Sequence, residues 1–187
     1  HATLRRQRQM CIRDRLNIGG EQKKEGWKIL NIQKKNGVDF IGDISDLSQF
    51  SENSVEEIYA SHVVEHVEQS KVESTFKGIY RVLKNNGKLY ISVPDMEVLC
   101  RIFISKEAPK SAKLHTLRMI YGGQIDKYDF HYCGWNYELL KDSIIKAGFK
   151  RVEKVKFFGL FDDTSNFAPY NNGKENVPIS LNVIAYK

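Results

Sequence analysis

His62, Glu65 and His66 place two imidazoles and a carboxylate within five residues, directly after the β-branched and aromatic run 55–61. That run has no breaker and reads as a buried strand. In a parallel α/β sheet, ligands bind in the crevice outside the carboxyl ends of the strands. The spacing H-x-x-E-H there supports an inverted zinc-protease motif, the rim of a cofactor pocket, or polar residues opening a solvated helix. The metal reading needs both histidines on one face of a helix, with a third ligand further along. Val63, Val64 and the preceding strand argue against that helix, and no later segment offers a partner glutamate on a helix of its own. The pocket rim is the preferred reading, and no metal is expected. A third imidazole, His131, lies in the aromatic run 128–135, where a packed or surface role is commoner than a catalytic one. Asp95 ends a different apolar run and could serve a site or cap a helix.

The elements that would position these groups alternate. Residues 16–20 read as a first strand and its glycine turn, 26–32 as a second and 38–43 as a third. Only residues 19–27 separate the first two, fewer than the dozen or so that usually house a crossover helix. After the strand 55–61, Ser70 and Glu73 have the spacing of a capping box. Apolar residues then recur at Val72, Phe76, Ile79, Tyr80 and Leu83 along one helix face, with a left-handed stop at residues 85–87. A fifth strand follows at 89–93, then helices at 96–104 and 109–121, the first of them capped by Asp95. Residues 105–135 break the pattern and read as an insertion or lid over one edge of the sheet. Asn136 caps a last helix, 137–147, which Gly148 closes, and strands at 151–158 and 181–186 end the chain. Two closing strands with no helix between them imply that one runs antiparallel. The expected fold is therefore a single-domain α/β, Rossmann-like, mostly parallel sheet, shortened at its first crossover and with an antiparallel C-terminal strand.

Composition excludes several classes. At 187 residues, 41% hydrophobic and 28% charged, the chain is ordinary for a soluble globular domain. No apolar run approaches the roughly 20 residues that span a bilayer. The formal charge of +6 is concentrated in residues 1–15, with five arginines and one acid; the remainder carries 24 basic against 22 acidic residues. That balance argues against nucleic acid as a partner, and no membrane partner is indicated. Residues 1–15 begin at His1, lack an apolar core region, and read as a non-native leader of the kind translated adapter sequence produces. Cys11, Cys100 and Cys133 are too few and too scattered for a disulfide framework, which fits a reducing, cytoplasmic setting.

Residues 59–66, 80–87 and 90–95, followed by 120–124, 147–149 and 180–183, resemble in order and spacing the class I S-adenosylmethionine-dependent methyltransferases. The resemblance is to the short bacterial branch of the type 11 group and covers residues 16–187. It implies S-adenosylmethionine as cofactor and a small-molecule or glycan-linked methyl acceptor. It also implies a cofactor site built from Asn17, Gly19 and Gly20 at the first strand, and Asn31 in place of the usual ribose-binding acid. Asp43 would stand at the adenine amine, with Ile44 flanking the ring, and Ser61 and His62 would face the methionine end. His66, His62 and His131 are the candidates for a catalytic base. Two departures stand out. Glu21 occupies a usual glycine, and Asn31 lacks the acid's charge, a change expected to weaken binding by roughly 1–2 kcal/mol. They motivate the alternative of a non-catalytic binding or scaffold protein on the same fold. A zinc hydrolase is the more remote alternative.

Overall fold

The computed structural model describes residues 15–171 and 176–187, so the basic leader lies outside the described residues except for Arg15. In chain order the elements are β1 (Arg15–Ile18), β2 (Trp27–Asn31), β3 (Phe40–Ile41), β4 (Val55–Ser61), α1 (Val72–Val82) and β5 (Leu83–Pro94). They continue as α2 (Met96–Ile104), α3 (Lys110–Tyr121), α4 (Tyr137–Lys146), β6 (Arg151–Val155), β7 (Tyr170–Asn171), β8 (Asn176–Val177) and β9 (Ser180–Tyr186). Seven strands form one sheet in the order β3-β2-β1-β4-β5-β9-β6, and β7 and β8 make a separate hairpin. β1 to β5 pair in parallel, while β9 runs antiparallel to both β5 and β6. Among the described residues no helix is long and apolar enough to cross a membrane.

Several boundaries differ from the sequence reading for local reasons. Arg15, assigned to the leader, belongs to β1, where it pairs with Trp27 and Glu57 and its Nε lies 2.6 Å from Glu57 Oε2. β3 is two residues long rather than six. Asp39 turns its side chain inward, and its Oδ2 accepts the Ile29 N–H that a longer strand would have paired with a carbonyl. The capping box is not made. Ser70 sits in a preceding 3-10 turn, and Lys71 takes the N-cap of α1 without a side-chain bond. Asp95 and Asn136 do cap α2 and α4, accepting from Glu97 and Val98 N–H and from Leu139 N–H respectively.

The strands alternate between two differently built layers, as a period of two requires. Ile58, Ala60, Leu89, Ile91 and Val183 face Phe76 and Ile79 of α1 and Leu140 and Ile144 of α4. Tyr59, Tyr90 and Ile184, one residue out of phase, face Trp27, Phe158, Leu160 and Phe161 on the other side. As expected, no helix occupies residues 19–26 between β1 and β2. The face it would have covered is closed by the loop after β6, where Phe161 packs edge-on to Trp27 at 5.2 Å and tilted on Tyr59 at 4.7 Å. The two loops are also tied directly, by Gln22 Nε2 to Asp162 O at 2.9 Å and by Lys24 Nζ to Leu160 O.

Candidate functional site

The glycine turn after β1 sets the geometry of the site. Gly19 has φ +77°, and a Cβ there would lie 2.5 Å from Val63 Cγ2, so the turn and the end of β4 approach more closely than any side chain permits. Gly19 N–H donates to Leu30 O at 2.8 Å. Asn31, at the end of β2, donates through Nδ2 to Gly19 O at 3.2 Å and Gly20 O at 3.4 Å, and its Oδ1 accepts Gln33 N–H. Its amide therefore braces the turn and keeps one acceptor lone pair for anything further. Beyond the turn lies a cavity of about 500 Å³ lined by Gly19, Asn31, Asp43, Ile44, His62 and His66. That size suits a small-molecule or cofactor site.

Asp43 is oriented by its own turn, Oδ1 accepting Ser45 N–H at 2.8 Å, and Oδ2 has no hydrogen-bond partner among the described residues. Ile44 beside it is buried. Glu21, the charged residue in a glycine's place, pairs with Lys35 at 2.5 Å at the cavity edge. On the opposite wall, Asp126, Tyr128, Asp129 and Tyr132 come from the loop after α3. Gln33 Nε2 reaches Asp126 Oδ2 at 3.2 Å, joining the two walls.

The structure divides the expected cofactor residues. Gly19, Asn31, Asp43, Ile44 and His62 line the large cavity. Asn17, Gly20 and Ser61 instead line a smaller cavity of about 190 Å³ with Phe161, Asp163 and Thr164, sharing Gly19 and Glu21 with the first. The reason is the alternation of β1 and β4: Asn17 and Ser61 point to the aromatic face of the sheet.

At the end of β4 the histidines are fixed differently. His62 takes a left-handed conformation, φ +54°. Ser180 Oγ donates to Thr164 O, so at 2.9 Å it accepts from His62 Nε2–H. His62 Nδ1 stands 3.2 Å from Glu65 Oε1, off the line of a good hydrogen bond, and neither Glu65 oxygen has a hydrogen-bond partner. Residues 64–66 form a 3-10 turn rather than an α-helix, so His62 and His66 do not share the helix face that the zinc-protease motif requires.

The loop after α3 docks onto this turn. Tyr132 and Cys133 N–H both donate to Glu65 O, at 2.8 and 3.2 Å. Docking brings His131 edge-on to His66, ring centroids 4.6 Å apart. His66 Nδ1 donates to Phe130 O at 3.1 Å and His131 Nδ1 to Met119 O at 2.9 Å, so each ring leaves Nε2 free. Burial pushes the Glu65 carboxyl up, but the His62 contact and the positive charge that His62, His66 and His131 carry when protonated outweigh it and hold it below the usual carboxylate range. Burial lowers the His131 imidazole below its ordinary value. Asp95 has a structural role as the α2 cap, with Lys154 Nζ at 3.3 Å from Oδ2.

Sequence reasoning noticed Glu65 only as part of a motif and did not place it in the site. The aromatic run around His131 was the signal for the far wall, and Lys35 and Gln33 gave none.

Residues 18–91 match the methyltransferase domain family model, from the last residue of β1 into β5. A search of the curated proteins finds no match. Among solved structures, a SAM-dependent methyltransferase from Archaeoglobus fulgidus is 17% identical with a TM-score of 0.57, over 96% of this chain and 88% of that one. One from Thermotoga maritima is 18% identical with a TM-score of 0.56, over 93% and 82%. A third, from Mesorhizobium loti, is 15% identical with a TM-score of 0.52, over 96% and 93%. At these identities the likeness is one of fold, and the fold is that of the class I methyltransferases.

Proposed function

We propose, from the premise that this chain carries the class I methyltransferase fold and matches the type 11 methyltransferase domain over residues 18–91, that it is an S-adenosylmethionine-dependent methyltransferase acting on a small-molecule or glycan-linked acceptor. The observation that carries the reading is the turn at Gly19, closed against Val63 and opening into the 500 Å³ cavity with Asn31 and Asp43 at the next two strand ends.

The residues present fit a nucleoside cofactor. Asp43 has an oxygen to spare for an exocyclic amine, and Ile44 supplies an apolar flank. Asn31 accepts from one ribose hydroxyl. When bound, the cofactor supplies a sulfonium methyl group already activated for transfer, so the protein's task is positioning. His62, held by Ser180 and beside Glu65, shapes the end of β4. His66, with Nε2 free at the cavity edge, accepts the proton from an acceptor hydroxyl or amine, and His131 behind it fixes the ring. The insertion, residues 105–135, acts as the lid, and its carboxylates and phenols suit a polyhydroxylated acceptor.

Glu21 and Asn31, the motives for a non-catalytic alternative, are both compatible with binding. Glu21 turns to Lys35, and Asn31 braces the turn it adjoins. Isothermal titration with S-adenosylmethionine tests the reading. Saturable binding with a micromolar constant is expected, and no heat at millimolar cofactor would overturn it.

A further inference from the structure

Glu65 is fully buried, and neither carboxylate oxygen has a hydrogen-bond partner. A buried carboxylate left in that state is costly unless a cation lies beside it. His62 touches one oxygen, from one side only. His66 and His131 stand near it as well, and one ligand atom from each of Glu65, His66 and His131 lies within 4.8 Å of the other two.

Both histidines carry the arrangement that prepares an imidazole for a metal. Nδ1–H is bound to a backbone carbonyl, Phe130 O for His66 and Met119 O for His131, which fixes the tautomer and leaves the Nε2 lone pair outward. Two such imidazoles beside a buried carboxylate make a donor set that a cation would satisfy. Donor atoms around a first-row ion lie about 3–3.5 Å apart, given bond lengths of about 2.0–2.2 Å, so a closing of at most about 1.5 Å by side-chain rotation completes the set.

We propose that Glu65, His66 and His131 form a binding site for a divalent first-row transition metal ion, with two imidazoles and one carboxylate as ligands. Three protein ligands leave further coordination positions open, as in sites that engage a substrate rather than brace a fold. The donor set favours zinc, cobalt, nickel or iron(II) over magnesium, which prefers oxygen alone. This is not the H-x-x-E-H arrangement considered from the sequence: His62 stays with Ser180, and the second imidazole comes from the insertion. His66 lines the large cavity, so an open position on that side faces a hydroxyl oxygen of the acceptor; in the ion-loaded protein that coordination, rather than His66 Nε2, promotes loss of the hydroxyl proton. That last consequence rests on the methyltransferase reading, whereas ion binding does not.

Chelator-stripped protein should be titrated with zinc chloride by competition against a chromogenic chelator, with S-adenosylmethionine titrated into the same preparations. One zinc per chain is expected, unaffected by excess magnesium. His66→Ala and His131→Ala should each weaken zinc binding at least tenfold, and His115→Ala, outside the cluster, should not. Cobalt should give a d–d absorption band that disappears in His131→Ala. Zinc affinity no better than millimolar, or unchanged in both histidine variants, overturns the site. Cofactor binding retained without zinc binding refutes this inference alone; zinc binding without cofactor binding refutes the methyltransferase reading alone. Glu65→Gln is the sharpest variant where it folds, and the two surface-side histidines keep the test decisive where it does not.

Discussion

The two faces of the central sheet are covered by different means. On one, α1 and α4 lay aliphatic side chains and Phe76 onto Ile58, Ala60, Leu89 and Ile91, as an amphipathic helix on a sheet ordinarily does. On the other, Trp27, Tyr59, Tyr90 and Phe161 meet as a cluster of rings brought by distant segments, and the loop after β6 stands where a crossover helix is missing. The helices α1 and α4 do not line the cavity, although Ile18, Leu30, Ile44 and Val67 of the core they cover do. The aromatic face holds the fold and, through Gln22, Lys24 and Trp27, also holds the segment that follows the Gly19 turn. With no helix there, the segment after the Gly19 turn is tied instead to a loop more than 130 residues away in sequence.

That coupling can be broken from either side. Phe76 is fully buried against Trp135, so Phe76→Ala should lower unfolding free energy by about 3–5 kcal/mol, read by urea denaturation. Cofactor affinity of the folded fraction should hardly change; a large fall in affinity would show that packing beneath α1 is transmitted to the cavity-lining residues of the same core. Phe161→Ala should cost less, about 2–3 kcal/mol, because an exposed loop relaxes more readily than a helix-covered core. It should also weaken S-adenosylmethionine binding about fivefold or more through the 19–26 segment. Unchanged affinity in a destabilised Phe161→Ala protein would make the two faces equivalent and the coupling absent.

Asp43 provides the reference, since it belongs to neither face. Asp43→Ala should reduce cofactor affinity by about 1–3 kcal/mol while leaving the melting temperature within experimental error. A shifted melting temperature with normal affinity would assign Asp43 to turn stability instead. The smallest effect is expected at Tyr59, whose hydroxyl donates to Asp163 Oδ2 at 2.8 Å inside the aromatic cluster. Tyr59→Phe keeps the ring and removes that bond together with the longer contact to Ser165 Oγ, so a loss of about 1 kcal/mol is anticipated in thermal unfolding. No loss would mean that ring packing alone secures the loop.

What the sequence by itself determined were features set by neighbours a few residues apart. The order of strands and helices, the antiparallel closing strand, the caps at Asp95 and Asn136 and the absent first crossover helix all follow from periodicity, local hydrogen bonds and link length. The strand-end positions of Gly19, Asn31, Asp43 and His62 follow in the same way, because a strand's end is a local event. Tertiary structure alone decided where side chains met. Asn17, Gly20 and Ser61 went to the smaller cavity, and Asn31 spent its amide on the glycine turn, because the two faces of one strand open onto different spaces. His131 reached His66 only because Tyr132 and Cys133 dock on Glu65 O, and the same docking buries the Glu65 carboxylate. Contacts between residues 65 positions apart depend on how a loop packs, and packing is a property of the whole core that no local pattern encodes.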